Sequence, residues 1–135
     1  MIVVDASAVV HVLQAERPDA DLARAFGEAG TLHAPSLLDI KFLSALRGLV
    51  MSGKLTLDRA HAAREDFADS PLIRYPLEKL TDRIWALRNN LTVYDAAYIA
   101  LAEALGCVLV TTDGKLRAAC GHRAKVEVYP LTPSR

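Results

Sequence analysis

Two runs of apolar residues, each rich in β-branched side chains and followed by an aspartate, constrain the fold of this chain most strongly. Ile2-Val3-Val4 leads directly into Asp5, and the run from 107 to 111 is followed two residues later by Asp113. Runs that are apolar at nearly every position are typical of strands buried on both faces of a parallel sheet. In such sheets the functional crevice lies beyond the carboxyl ends of the strands. We therefore expect Asp5 and Asp113 to lie at the same edge of the sheet.

The remaining segments predict helices that alternate with further short strands. Apolar spacing predicts helices over 6–14, 19–29, 36–51, 56–68, 77–88 and 96–105, with a short helix from 115. Further strands are expected at 32–34, 72–75 and 125–129. This alternation predicts an α/β fold with three layers, α/β/α, around a central, mostly parallel sheet of four to five short strands. With 135 residues, 52% of them apolar, the chain is expected to form a single domain over 1–135.

Charge and cysteine content exclude several classes of protein. Sixteen basic residues balance sixteen acidic ones, so any binding of nucleic acid must use a local basic patch rather than a polycationic tail. Cys107 and Cys120 match no metal-binding spacing, and one pair is too few for a disulfide framework. The N-terminus has no basic region, and no apolar run approaches the roughly 20 residues needed to span a bilayer. We expect a soluble, cytoplasmic protein.

Each candidate carboxylate has an ordinary structural explanation when it is taken alone. Asp5 can cap the helix that follows it, and Asp113 can form an Asp-Gly turn. Asp95 follows Thr92 at the spacing of a capping box, and Asp39 follows a serine at the same spacing. For Asp39 we keep the capping explanation.

Taken together, Asp5, Asp95 and Asp113 favour a different interpretation. All three are expected at one edge of the sheet or at a helix start facing it, and carboxylates that close repel each other unless a cation lies among them. Mg²⁺ prefers oxygen ligands and keeps several waters. Two such ions about 4 Å apart can activate water and stabilise the leaving oxygen in phosphodiester cleavage. Ser7 and Thr112 are candidates to hold these carboxylates or their waters by hydrogen bonds.

The order and spacing of four motifs resemble the PIN domain, and the chain is especially similar to the VapC toxins of toxin–antitoxin pairs. The motifs are Val-Val-Asp5-Ala-Ser7-Ala, Ala-Pro-Ser-Leu-Leu-Asp-Ile-Lys41-Phe-Leu-Ser-Ala-Leu-Arg47, Leu-Thr92-Val-Tyr-Asp95-Ala-Ala-Tyr98-Ile-Ala-Leu-Ala and Leu-Val-Thr111-Thr112-Asp113. The resemblance extends from Ile2 to Pro130, and the motif around Asp95 is its most specific part.

The resemblance implies a PIN-like fold and an endoribonuclease that cuts single-stranded or loop RNA with Mg²⁺ or Mn²⁺. It implies catalytic and metal-binding roles for Asp5, Asp95 and Asp113, with Ser7 and Thr112 in support. It also implies a homodimer and a VapB-like antitoxin whose C-terminal segment lies across the active-site groove. The helices predicted over 36–51 and 56–68 are the surfaces that we expect to receive that segment.

Lys41 departs from the family pattern, because the second motif normally carries a glutamate at this position. Four carboxylates carry a formal charge of −4, whereas three carboxylates and one ammonium carry −2. A lysine here can also pair with Asp5 or Asp95 in the space that a cation would fill. Asp39 is not expected to compensate, since two residues along a helix correspond to about 200° of rotation.

Three interpretations of Lys41 remain open. It is an introduced inactivating substitution, or a natural change in a domain that binds RNA or a partner but cleaves poorly, or a surface lysine outside the site. The competing functions are accordingly a weakened metal-dependent ribonuclease and a binding module without catalysis. A phosphatase-like hydrolase is disfavoured, because it would normally carry a general acid two residues after the first aspartate, where this chain has Ser7.

Candidate contacts to RNA are basic residues close to the predicted site. Arg88 precedes the Asp95 motif, and Lys115 and Arg117 follow Asp113. For Arg88, an interaction with the carboxyl end of its helix is an equally good explanation. Arg47 is a further candidate, either for RNA or for an antitoxin carboxylate.

Overall fold

The computed structural model describes residues 1–131, in which short strands alternate with helices. The strands are Ile2–Val4 (β1), Leu32–Pro35 (β2), Leu72–Tyr75 (β3), Val108–Thr111 (β4) and Val126–Val128 (β5). The helices are Ala6–Gln14 (α1), Ala20–Glu28 (α2), Leu38–Met51 (α3), Leu57–Asp69 (α4), Thr81–Ala86 (α5), Val93–Leu105 (α6) and Lys115–Ala118 (α7). A turn of 3₁₀ helix, Glu78–Leu80, precedes α5.

The strands form one sheet in the order β3-β2-β1-β4-β5, and all four pairings are parallel. Val3 and Val4 of the central strand point to opposite faces because side chains alternate along a strand. Both are fully buried, so helices cover both faces of the sheet. The prediction of an α/β fold around a parallel sheet is confirmed.

β2 and β3 lie on one side of β1, whereas β4 and β5 lie on its other side, so the strand order changes direction between β1 and β4. Val4 is paired with Val110, and the backbone N–H of Asp5 donates to the carbonyl of Val110 at 3.3 Å. In open α/β sheets, adjacent strands whose connections leave in opposite directions open a crevice at their carboxyl ends. The chain places Asp5 and the residues after Thr111 at this crevice.

Two helices bring further side chains to the same edge. α6 is buried continuously from Ala96 to Ala102 and packs against β1 and β2, which fixes the position of its N-terminal turn. α3 is held to α4 by Phe42 and Phe67, whose stacked rings have centroids 4.1 Å apart. α3 carries Lys41 and α6 carries Asp95.

The structure differs from the sequence prediction at three helices. The helix predicted over 77–88 is split into the 3₁₀ turn and the six residues of α5. α3 begins at Leu38 rather than at 36, and no side chain among the described residues caps it, so the proposed capping by Ser36 is wrong. α6 begins at Val93, earlier than predicted, because Thr92 caps it through the backbone N–H of Asp95 at 3.1 Å. No helix within residues 1–131 is long and apolar enough to cross a membrane.

Candidate active site

A small pocket at the carboxyl ends of β1 and β4 brings together side chains from four separate segments. Its lining residues are Asp5, Ala6, Ser7, Lys41, Asp95, Tyr98 and Asp113. The cavity has a volume of about 130 Å³. Since one water takes roughly 30 Å³ of liquid volume, this space suits an ion with its waters or a single phosphate group rather than a whole nucleotide. A larger cleft of about 460 Å³ beside α2 contains none of the predicted site residues.

Asp5 is the most firmly held carboxylate of this pocket. Its Oδ1 accepts hydrogen bonds from Ser7 Oγ at 2.8 Å and from the backbone N–H of Ala8 at 3.0 Å, and its Oδ2 accepts one from Thr111 Oγ1. Asp5 is therefore also the N-cap of α1. The capping explanation and the functional one describe the same carboxylate.

Burial shifts the proton affinity of Asp5. The side chain is only 7% exposed, and loss of solvation raises its pKa above the ordinary value. The hydrogen bonds from Thr111, Ala8 and Ser7 oppose this rise in pKa, and the negative charge of Asp113 adds to it. Asp5 and Asp113 thus already interact electrostatically across the two strand ends.

A chain of hydroxyl groups connects the end of β4 to Asp5. Thr112 Oγ1 donates to Ser7 Oγ at 2.8 Å, and the backbone N–H of Asp113 donates to Thr111 Oγ1 at 3.0 Å. The Asp113 carboxylate accepts the backbone N–H of Lys115 at 3.0 Å, so the turn predicted for this aspartate is present. These bonds fix the spacing between the two strand ends.

Asp95 and Tyr98 line the opposite side of the pocket, on adjacent turns of α6. Among residues 1–131, no hydrogen bond to the Asp95 carboxylate is present, so the reciprocal half of a capping box is missing. Tyr98 is 2% exposed, and its hydroxyl has no hydrogen-bond partner in the described part of the chain. Burial raises the pKa of Tyr98, and the charges of Asp5 and Asp95 raise this pKa further.

Lys41 lies at the pocket, half-buried, which argues against the interpretation of a solvated surface lysine. Its Nζ lies 4.8 Å from the centroid of the Tyr94 ring. Within residues 1–131 it forms no ion pair with Asp5 or Asp95, the pairing that the sequence allows. A cation over an aromatic face is stabilised by the ring quadrupole, and this contact draws the ammonium toward the N-terminal turn of α6.

Asp39 lies outside the pocket. Its carboxylate accepts a hydrogen bond from Arg74 Nε at 2.6 Å and lines a separate groove between α3 and α4. This placement agrees with the expectation that Asp39 does not replace the missing acid.

The three basic residues predicted to contact RNA are all exposed on the surface. Arg88 donates to the carbonyl of Trp85 at 2.9 Å, and its guanidinium lies 4.6 Å from the centroid of the Trp85 ring. Arg88 therefore contacts the carboxyl end of α5, which is the explanation considered beside RNA binding. Lys115 and Arg117 are exposed on α7, directly after Asp113.

The donor chemistry of the pocket fits a hard divalent cation, although the carboxylates are not tightly gathered. All three acidic side chains offer oxygen, and the charge of Asp113 raises the pKa of Asp5, which a bound cation would reverse. Within residues 1–131, however, no three histidine, cysteine or acidic side chains are close enough together to form a preformed metal site. The ammonium of Lys41 in the same pocket reduces its negative charge.

Comparison with known protein families identifies this arrangement. The family model for the PIN domain matches residues 2–121. The chain belongs to the PIN domain family.

The PIN domain of this chain is of the VapC type. It is 39% identical over 129 residues to "Ribonuclease VapC12" of Mycobacterium tuberculosis, an alignment that covers 95% of this chain and 98% of the relative. The four motifs that suggested this family therefore belong to a similarity that extends over nearly the whole chain.

Solved structures support the PIN fold independently of close sequence identity. The crystal structure of PAE2754 from Pyrobaculum aerophilum has a TM-score of 0.68 at 23% identity, covering 94% of this chain and 83% of that one. A structure of VapBC2 from Rickettsia felis, bound to a DNA fragment from their promoter, has a TM-score of 0.65 at 19% identity, covering 95% and 98%. At these identities the likeness concerns the fold alone.

Sequence reasoning missed two residues of this PIN-domain pocket. Thr111 donates directly to Asp5, whereas Thr112, which was predicted, acts through Ser7. The signal for Thr111 was its place as a polar residue ending a buried strand, where its hydroxyl must find a partner. Tyr98 lies three residues after Asp95, a spacing that puts both on one face of a helix.

Proposed function

We propose that this chain is a divalent-metal-dependent endoribonuclease, the VapC-type toxin of a type II toxin–antitoxin pair, and that Lys41 weakens its activity. The observation that carries the proposal is the single pocket lined by Asp5, Asp95 and Asp113, which come from three distant segments. Similarity to a relative named a ribonuclease, over almost the full length of both chains, supports the reaction class.

Asp5, Asp95 and Asp113 are the residues that would hold Mg²⁺ or Mn²⁺. When bound, such an ion activates water and stabilises the charge that develops on phosphate oxygens. Asp5 is suited to a fixed role, because Ser7, Ala8 and Thr111 restrain both of its oxygens. Thr112 supports it indirectly by donating to Ser7.

Lys41 acts on this site through its charge. An ammonium at the pocket offsets one carboxylate, so a divalent cation meets less negative charge there than a glutamate at position 41 would provide. The contact with Tyr94 keeps Lys41 from occupying the centre of the pocket as an ion-pair partner. We therefore expect weakened rather than abolished cation binding.

The partners that we propose are an RNA substrate, a VapB-like antitoxin and a second copy of the chain, in the cytoplasm. The groove beside Asp39 and Arg74 is lined by Phe42, Leu43 and Phe67 and is the place proposed for the apolar part of the antitoxin segment. Ile40, which is 70% exposed, extends this apolar surface on α3. Arg88, Lys115 and Arg117 are proposed to contact RNA phosphates near the pocket.

An RNA cleavage assay with Mg²⁺ and with Mn²⁺ tests the proposed reaction. The chain and its Lys41→Glu variant are incubated with a mixed pool of single-stranded and hairpin RNAs, with EDTA as the metal-free control. We expect Lys41→Glu to cleave at least about tenfold faster, because it restores an acidic ligand, and we expect EDTA to abolish cleavage. Equal activity of both forms would place Lys41 outside the catalytic machinery.

A matched inactive variant controls for RNA cleavage by contaminating nucleases. Lys41→Glu combined with Asp5→Asn keeps the shape of the pocket but removes one charged ligand, and we expect it to cut no RNA. Cleavage that survives this double substitution would not arise from the proposed site.

The second candidate function is a binding module that holds antitoxin or RNA without cutting. The observation that favours it is the Lys41 ammonium at the pocket, which can donate hydrogen bonds to a phosphate group. If neither form cleaves, and RNA binding is unaffected by EDTA but lost in Lys41→Gln, this function replaces the first.

A further inference from the structure

The pocket contains a buried hydrogen-bond donor and a nearby acceptor that are not hydrogen-bonded to each other in the described structure. The donor is the hydroxyl of Tyr98, which has no partner among residues 1–131 and is almost completely buried. The acceptor is the carboxylate of Asp95, which receives no hydrogen bond from the described residues. A buried polar group without a partner is costly and rare in folded proteins, so each such group calls for an explanation.

Asp5 is not the acceptor that Tyr98 lacks. Its two oxygens already receive bonds from Ser7, the backbone of Ala8 and Thr111. Asp95 accepts no hydrogen bond from residues 1–131 through its carboxylate, and it lies three residues before Tyr98 on the same helix.

The protonation state of Tyr98 suits a pure donor. Burial and the negative charges of Asp5 and Asp95 both raise its pKa, so the hydroxyl keeps its proton throughout the neutral range. Its ring is packed in the main hydrophobic core, which leaves the hydroxyl little freedom to seek a partner elsewhere. The group that can move is Asp95, whose side chain is only partly buried.

We propose that Tyr98 is a positioning residue whose hydroxyl donates a hydrogen bond to the Asp95 carboxylate when a divalent cation enters the pocket. Residues three apart on a helix are neighbours on its surface, so a rotation of the Asp95 side chain toward the cation brings it to the hydroxyl. One carboxylate oxygen is then held by Tyr98 and the other is directed to the cation. This inference rests on the metal-dependent function proposed above.

The test is a double-mutant cycle on Mg²⁺ affinity, measured by isothermal titration calorimetry without RNA. The variants are Tyr98→Phe, Asp95→Asn and their combination, each in the chain itself and with Lys41→Glu. We expect Tyr98→Phe to weaken Mg²⁺ binding by about three- to tenfold, the range of one net hydrogen bond. In the Asp95→Asn background the same substitution should have little further effect.

A spectroscopic readout separates positioning from a merely structural role. With ¹³C-labelled tyrosine, the Cζ resonance of Tyr98, assigned by its loss in Tyr98→Phe, should shift on Mg²⁺ titration and stay unshifted in Asp95→Asn. Tyr129→Phe is the matched control, because its hydroxyl donates to Glu127 in the cleft beside α2, away from the pocket, and it should leave Mg²⁺ affinity unchanged. The melting temperature of Tyr98→Phe should not fall, since its hydroxyl has no partner in the described structure.

The outcomes distinguish this inference from the function on which it rests. If Mg²⁺ affinity is equal in the chain and in Tyr98→Phe, and the Tyr98 resonance does not shift on Mg²⁺ titration, the role of Tyr98 is overturned. The proposed metal site is unaffected by that result. A Tyr98→Phe effect that is as large with Asp95→Asn as without it also overturns the proposal. If neither Lys41 nor Glu at position 41 supports binding of Mg²⁺, the metal site and the role of Tyr98 fail together.

Discussion

The two halves of the pocket differ in how completely their polar groups are paired. The strand half consists of Asp5, Ser7, Thr111, Thr112 and Asp113, which are joined by hydrogen bonds across the ends of β1 and β4. The helix half consists of Lys41, Asp95 and Tyr98, whose side chains form no hydrogen bond with one another in the described structure.

This difference indicates which half is fixed by folding and which is open to a ligand. The strand half is built from neighbouring strands of one sheet, so the backbone pairing itself sets the distances between its groups. The helix half depends on the packing of α3 and α6, and within residues 1–131 the Tyr98 hydroxyl and the Asp95 carboxylate have no hydrogen-bond partner. We expect substitutions in the strand half to change stability as well as ligand binding, and substitutions in the helix half to change mainly ligand binding.

The largest expected effect on stability comes from Thr111→Val, a change of similar shape that removes the buried donor to Asp5 and the acceptor of the Asp113 backbone N–H. Losing a hydrogen bond to a charged group costs about 1.5–3 kcal/mol of unfolding free energy, and urea denaturation in EDTA measures it. The control is Thr112→Val, which affects only the bond to Ser7 and should cost less than about 1 kcal/mol. Equal losses for the two threonines would contradict the central place of Thr111.

The second prediction concerns the pH dependence contributed by Asp5 in metal-free solution. Because its pKa is raised in the folded chain, the folded state binds the proton more tightly than the unfolded state does. The stability that Asp5 contributes is therefore fully present below its ordinary pKa of 3.8 and is lost as pH rises through the raised value. The free energy of unfolding in EDTA, relative to Asp5→Asn, should fall as pH increases. If the unfolding free energy relative to Asp5→Asn instead rose with pH, the hydrogen bonds to Asp5 would outweigh its burial in setting its pKa.

A smaller effect is expected for Asp95→Asn, in the helix half. Asp95 lies in the first turn of α6 and receives no side-chain hydrogen bond from the described residues, so its loss removes only a charge near the helix N-terminus. That interaction contributes at most about 1 kcal/mol. Urea denaturation without metal should show this small change, whereas Mg²⁺ affinity should fall sharply. A large loss of stability would place Asp95 in a structural network.

The smallest effect is expected for Asp39→Asn, outside both halves. The ion pair between Asp39 and Arg74 is partly exposed, and such pairs contribute about 0–1 kcal/mol. Combined with Lys41→Glu, this substitution should leave the rate of RNA cleavage unchanged. A marked loss of cleavage would show that Asp39 takes part in the site after all.

The sequence contains enough information to predict the sheet and most of the pocket. Apolar runs at 2–4 and 107–111 predict strands because both faces of a parallel sheet are buried, and their carboxyl ends place Asp5 and Asp113 together. The motif around Asp95 supplies the third carboxylate. The apolar spacing predicts one helix over 77–88, because it does not reveal where the first turn tightens to 3₁₀ geometry.

The details of the pocket depend on packing that no local pattern specifies. Thr111 and Thr112 are identical in type, and only the strand register decides which of them faces Asp5. The partner of Lys41 is likewise set by how α3 meets α6, which brings its ammonium over Tyr94 rather than against a carboxylate. That the Tyr98 hydroxyl has no partner in the described part of the chain follows only from its three-dimensional surroundings.

The charge at position 41 tests most directly whether these carboxylates form one cation site. Calorimetric titration with Mn²⁺ compares the chain with Lys41→Gln and Lys41→Glu, which change the charge in two equal steps without touching the strand half. We expect affinity to rise at each step, by at least about tenfold overall, because the side chain lies at the same pocket as the three aspartates. Equal affinities across all three forms would contradict the claim that Asp5, Asp95 and Asp113 hold a cation beside Lys41.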